Sequence, residues 1–174
     1  MGLRLAPEKT QVVHIDEGID FLGFHIRRQR KRGTQKHYVY TEPSKKAIQS
    51  IKNKVKSRTR RSELHREVDE LLASLSRTLC GWANYFRHGV SKAVFGTIHG
   101  HAWHRIVRWI FRKDSRLSWR ELRRPFCRSG SWKLICDGVE FTGASSVKVI
   151  RYRYPGSNIP TPWTPRPAAT GTGD

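Results

Sequence analysis

The run LHREVDELLASLSRTLCGWANYFRHG, residues 64–89, decides how the rest of the chain is read. Leu64, Val68, Leu71, Leu72, Leu75, Leu79, Trp82 and Phe86 recur in steps of three and four, which gathers them on one side of an α-helix that must lie against something. The ends are marked as well. Ser62 is placed to cap, Glu63, Glu67, Asp69 and Glu70 suit the positive end of the helix dipole, and Arg87 and His88 precede Gly89 at the other end. Trp82 and Phe86 continue the apolar stripe and are expected in the core. Tyr85, Arg87 and His88 lie off it and are candidates for contacting a partner, without a part in stability.

Working outward, two more helices follow from the same period. One spans about 44–60 with Ile48, Ile51 and Val55 as a narrow stripe. The other spans about 91–113, with Phe95, Ile98, Ala102, Ile106 and Trp109 on one stripe and Trp103, Val107 and Ile110 widening it. Together the three make a helical bundle. Ser118, three residues before Glu121, forms a capping box for a further short helix that Pro125 should end. Trp132–Cys136 and Val139–Thr142 flank Asp137-Gly138 as a short hairpin, and Val147–Tyr154 reads as a final basic strand. The prolines beyond Pro155 imply an extended tail.

On the N-terminal side, the short apolar runs around Pro7 in residues 3–15 suggest a turn leading into a strand. A domain opening on a strand with nothing earlier to pair with is expected to be the tail of something longer. Ile19–Ile26 and His37–Thr41 then read as a β-hairpin with an overlong basic connection, and Gly23 within a strand marks the close approach of another backbone or a ligand.

Composition bounds the function. The 174 residues carry 34 Lys and Arg against 14 Asp and Glu, a formal charge of +20. Such a field attracts polyanions, of which nucleic acid is the commonest inside a cell. Length suffices for a core without disulfides, and three cysteines, Cys80, Cys127 and Cys136, fit a reduced, cytoplasmic chain. No apolar run reaches the ~20 residues of a membrane span. Residues 27–61 hold fourteen cations against one acid, Glu42. A solvated helix face mixes both signs, so this excess points to phosphate. The candidate contacts are a loop cluster of Arg27, Arg28, Arg30, Lys31 and Arg32, then Lys36, and on the following helix Lys45, Lys46, Lys52, Lys56, Arg58, Arg60 and Arg61, joined by Tyr85, Arg87 and His88.

Three stretches in order carry a resemblance: Leu5-Ala6-Pro7-Glu8-Lys9-Thr10, then Asp20-Phe21-Leu22-Gly23-Phe24, then Gly81 to Gly89. Together they resemble the end of the palm and the thumb-like domain X of group II intron reverse transcriptase/maturase proteins, over roughly residues 2–165. The resemblance implies that Lys9 matches the palm lysine and that Phe21, Leu22, Gly23 and Phe24 form a primer-grip-like hairpin. It also implies a chain that binds structured intron RNA and assists its splicing, with the RNA supplying the catalytic metal site. DNA or a separate polymerase palm would be further partners, and no cofactor is expected.

The resemblance also implies an α+β fold. Its parts are a palm remnant over 1–42, a helical maturase domain over 43–128, a small β module over 129–155 and a tail over 156–174. A polymerase holds two magnesium ions with carboxylates, and no Asp-Asp pair occurs in these residues. Asp16 and Asp20 are explained as polar residues flanking a hairpin. His99, His101 and His104 tempt a metal reading, but residues two apart on a helix point about 200° apart, so no metal is expected. The expectation is a non-enzymatic RNA-binding chain. Its alternatives are an accessory fragment of an RNA-directed DNA polymerase and a non-functional remnant of an intron reading frame.

Overall fold

A computed structural model describes residues 12–127 and 131–151. Three antiparallel strands in the order β1 (Ile19–Phe21), β2 (Phe24–Arg30) and β3 (His37–Pro43) precede four helices: α1 (Lys45–Arg58), α2 (Val68–Phe86), α3 (Lys92–Lys113) and α4 (Trp119–Phe126). A second sheet of two short strands, β4 (Ile135–Cys136) and β5 (Val139–Glu140), follows. The fold is therefore α+β, as expected. Lys9 and the run around it, the last part of the expected strand 147–154 and the tail lie outside the described residues.

The helical stripes form one core. Ile51 and Val55 of α1, Leu71, Leu75, Leu79 and Phe86 of α2, and Phe95, Ile98, Ile106 and Trp109 of α3 are almost fully buried. Leu134, Phe141 and Ala144 join them, so the small hairpin shares the core of the helices. Its turn is Asp137-Gly138, with φ of 47° and 78°. Positive φ at both central residues matches the twist of a two-residue hairpin.

Several boundaries differ from expectation. Helix α2 begins at Val68, not at Leu64, and Ser62 does not cap it: Arg61–Glu63 is a turn of 3₁₀ helix, and Glu67 stands at the cap position without a side-chain bond. Successive i→i+3 bonds, Glu63 N–H to the Arg60 carbonyl and Arg66 N–H to that of Glu63, take up these residues in reversing the chain between α1 and α2. Ile19–Ile26 is two strands, because Leu22 and Gly23 have φ of 47° and 80° and pair Phe21 with Phe24 across a two-residue turn. Gly23 is thus a turn glycine, although the Phe86 ring also lies 3.4 Å from where its Cβ would be. Arg27, Arg28 and Arg30 lie in β2 and not in a loop, which leaves Lys31 and Arg32 in the connection. Pro125 sits within α4. Residues 12–15 and 147–151 are not strands. Instead Val147 and Val149 pack against the core and the Ile150 N–H donates to the Arg87 carbonyl at 2.9 Å.

The sheet is held to the helices at one end. Ser44 caps α1 by accepting from the Ala47 N–H, while its own N–H donates to the Gly23 carbonyl at 2.8 Å. Phe24 packs against Tyr85 and Phe86 with centroids 5.6 and 4.8 Å away. On the other side the Val90 N–H donates to the Thr41 carbonyl at 2.7 Å. Gly89 has no room for a side chain, since a Cβ would stand 2.7 Å from that same carbonyl.

Candidate nucleic-acid interface

Helices α1 and α3 pack side by side, and neither contains an Asp or Glu. Their apolar residues face the core, which leaves most of their cations on the outside. On α1, Lys45, Lys46, Lys54 and Lys56 are exposed, and Arg60 and Arg61 are exposed just beyond it. A shallow groove runs along this outer face between Lys46, Lys54 and Arg60, floored by Gln49, Ser50, Asn53 and Ser57. The neutral floor offers amide and hydroxyl groups between cations, a mixture suited to a sugar-phosphate backbone.

On α3, Arg105, Arg108 and Arg112 share a side by their spacing of three and four. Arg105 is partly buried: its Nε donates to Thr59 Oγ1 at 3.0 Å and its Nη2 to the Thr59 carbonyl at 3.3 Å. It therefore satisfies carbonyls at the end of α1, where the dipole is negative. Burial first, then the charges of Arg112 and Arg108, push Arg105 below the usual guanidinium value. His101 is pushed down by burial and then by Lys52, Arg105 and His104. Burial leads both shifts; the charges acting on Arg105 lie on α3 itself, whereas His101 also feels Lys52 of α1. The sequence reading missed Arg105, Arg108 and Arg112, although their helical spacing within an acid-free run was a usable signal.

The other candidate residues divide by what their side chains already do. Arg58 is turned inward, its Nη1 donating to the Ser74 carbonyl at 2.9 Å and to the Ser74 and Thr78 hydroxyls, which ties α1 to α2. Lys52 is half-buried. Arg28 holds Asp16 through two bonds of 2.6 and 2.7 Å, and that bonding draws the Asp16 carboxyl below its ordinary value. Arg30 Nε donates to the Thr34 carbonyl. Arg27, Lys31, Arg32 and Lys36 are exposed on the sheet and its connection.

Tyr85 is half-exposed but not idle: its hydroxyl donates to the Leu22 carbonyl at 2.8 Å and its ring stacks on Phe24. It thus links α2 to the β1–β2 turn, a contact that its place off the apolar stripe did not reveal. Arg87 is half-buried beside it, and His88 is exposed. Phe21 and Leu22 are exposed at the turn, whereas Phe24 faces the helices.

Other chemistries find little support in these side chains. Among the described residues no group of three or more His, Cys, Asp or Glu could hold a metal ion. Burial pushes the Cys136 thiol up to about 11, so it stays protonated and is a poor nucleophile. Among the described residues no helix is long and apolar enough to cross a membrane.

No curated protein matches the chain. Residues 48–126 match the family described as the group II intron, maturase-specific domain. The match takes in α1 from Ile48 onward, all of α2 and α3, and α4 to its last residue, so most of the acid-free helix pair and of the core beneath it falls inside it. The helical part of this chain, residues 48–126, is thus similar to the group II intron maturase-specific domain.

Proposed function

We propose that the chain binds structured group II intron RNA and assists its splicing, using the outer faces of α1 and α3 as the backbone-binding surface. The observation that carries this reading is a pair of packed helices, within a maturase-specific domain, that expose cations and contain no acid. Each phosphate neutralised by such a surface releases counterions, and the protein favours the RNA fold that brings most phosphates into reach. Double-stranded RNA presents its backbone and 2′-hydroxyls more readily than its base edges, so shape is what this surface reads. The protein positions, and the RNA carries the chemistry.

Binding measured across a salt series tests the electrostatics. If 6–10 phosphates are contacted, affinity for a structured intron RNA should fall by about 10³–10⁵ between ~50 and ~200 mM salt. Replacing Lys46, Lys56 and Arg108 together by Ala should flatten the slope by up to ~3 contacts' worth. The corresponding triple of Arg27, Arg30 and Lys36 should flatten it less. A slope near zero for the native chain removes the reading. Splicing of that RNA at limiting magnesium, with and without the chain, tests the second half.

A specific feature favours a second reading. Ile19, Phe21, Leu22 and Val39 leave apolar surface exposed on the sheet, which suits contact with a separate polymerase palm. Primer extension that requires both polypeptides would favour it.

A further inference from the structure

Trp103, Trp119 and Trp132 come from three places in the chain, α3, the first residue of α4 and the approach to β4, and meet in one cluster. Trp103 and Trp119 are nearly parallel, with centroids 6.5 Å apart and planes at 17°. Trp132 stands edge-on to both, at 6.1 and 6.3 Å. Trp103 Nε1 donates to the Trp132 carbonyl at 2.9 Å, and Phe111 lies 5.0 Å from the Trp119 ring. The cluster is therefore built and held.

It is also open. Trp119 and Trp132 remain 54% and 49% exposed, whereas Trp109, on the core side of α3, is 0% exposed. Leaving two large rings half in water forfeits much of their burial energy. On α3, His104, Arg108 and Arg112 follow one another in steps of four along the side next to Trp103 and Phe111, and all three are exposed. An open aromatic surface thus lies alongside Arg108 and Arg112, on a helix that has no acid. Successive bases stacking on rings while phosphates track a cationic groove is how proteins hold single strands.

We infer that this cluster binds an unpaired stretch of RNA, with bases stacked on Trp119 and Trp132 and the neighbouring phosphates on Arg108 and Arg112. The inference rests on the RNA-binding reading above but adds a ligand that the helix faces do not select. A paired base is already stacked within its duplex, and an unpaired one offers its ring face. The adjacent one-sign row favours a polyanion over an apolar protein surface as the occupant.

Three probes on the full chain separate the possibilities: an unpaired oligoribonucleotide of about 12 nucleotides, an abasic strand of the same length, and a perfectly paired RNA hairpin. The native chain should prefer the base-bearing strand to the abasic one by about 5- to 50-fold, the size expected of one or two stacked bases. Trp119→Leu keeps apolar volume against Phe111 and should remove most of that preference. Trp119→Phe should keep most of it, and neither should change affinity for the hairpin. Equal binding of base-bearing and abasic strands overturns the inference, and a cluster reserved for a protein partner would give that result. If Trp119→Leu weakens strand and hairpin alike and lowers the melting temperature, the cluster serves packing alone, and the inference again fails. Absence of any RNA binding by the native chain instead removes the structured-RNA reading on which it rests.

Discussion

The N-terminal sheet and the α1–α3 helix pair are both strongly basic, yet they carry their charges on different supports. The sheet's cations are partly engaged within the chain, Arg28 by Asp16 and Arg30 by the Thr34 carbonyl, and none of the residues of β1 or β2 is buried. The helix pair rests on side chains with almost no exposure; Arg58, Arg105 and Lys113 are bonded within the chain as well, but neither helix has an acid of its own to pair with the remaining cations. A rigid support loses little freedom when a polyanion docks, whereas a solvated three-stranded sheet held at one end must be ordered in the same event. Equal numbers of cations therefore need not give equal binding.

The largest way to break this comparison is to remove what supports each region. Leu75 is fully buried between the helices, and Leu75→Ala should destabilise the protein by roughly 3–5 kcal/mol through lost burial and the cavity left behind. Val39 is 53% exposed on β3, and Val39→Ala should change stability by no more than about 0.5 kcal/mol. Urea denaturation of the two variants checks both values. A loss above about 2 kcal/mol for Val39→Ala would mean that the sheet carries a core of its own.

The helical half was the more legible in the sequence, and the reason is redundancy. The stripe from Leu71 to Phe86 repeats one spacing over several turns, and the Ser118–Glu121 capping box formed as its spacing required. The start of α2 was misplaced because Ser62 and Leu64 look like a cap and a first stripe residue, while the reversal from α1 absorbs them in 3₁₀ turns. Asp137-Gly138 was readable as a hairpin turn because both residues suit positive φ. Leu22-Gly23 was not, because leucine rarely adopts φ of 47°, and its conformation depends on contacts made far away in sequence. The candidate cations were visible as a group, but nothing local shows that Arg58 turns toward Ser74 and Thr78 or that Arg105 closes the end of α1. The Trp cluster unites residues up to 29 positions apart and has no sequence period to reveal it.

A middle-sized effect sharpens the comparison at the joint between the two regions. Tyr85 donates to the Leu22 carbonyl at a turn whose first residue is held at positive φ. Tyr85→Phe keeps the ring stacked on Phe24 and deletes only that bond, so it should reduce stability by about 0.5–1.5 kcal/mol. Amide exchange should quicken in β1 and the turn more than in α2. Uniform quickening across the helices would show that the sheet and the bundle open as one unit.

The smallest effect concerns acid, and it belongs to the helical region. His99 of α3 stacks on Phe141 at 5.1 Å, its Nδ1 is buried without a partner, and burial pushes its pKa below the ordinary imidazole value of 6.5. In the unfolded chain that ring takes up a proton near pH 6.5, while in the folded chain it resists until lower pH. Within that window the unfolded state binds more protons, so stability falls as pH falls. The contribution is complete above the unfolded value and is lost progressively below it. His99 is only partly buried, so solvent limits the size of the effect. Melting temperatures at pH 7.5, 6.5 and 5.5 should decline, and His99→Gln, which cannot take up the proton, should lessen the decline between 6.5 and 5.5. Carboxylates titrate mainly below this range, at about 3.9 for Asp and 4.3 for Glu, which leaves histidine as the principal titrating group. Identical pH dependence in the native chain and His99→Gln would show that water reaches the ring freely and that the His99–Phe141 contact opens at little cost.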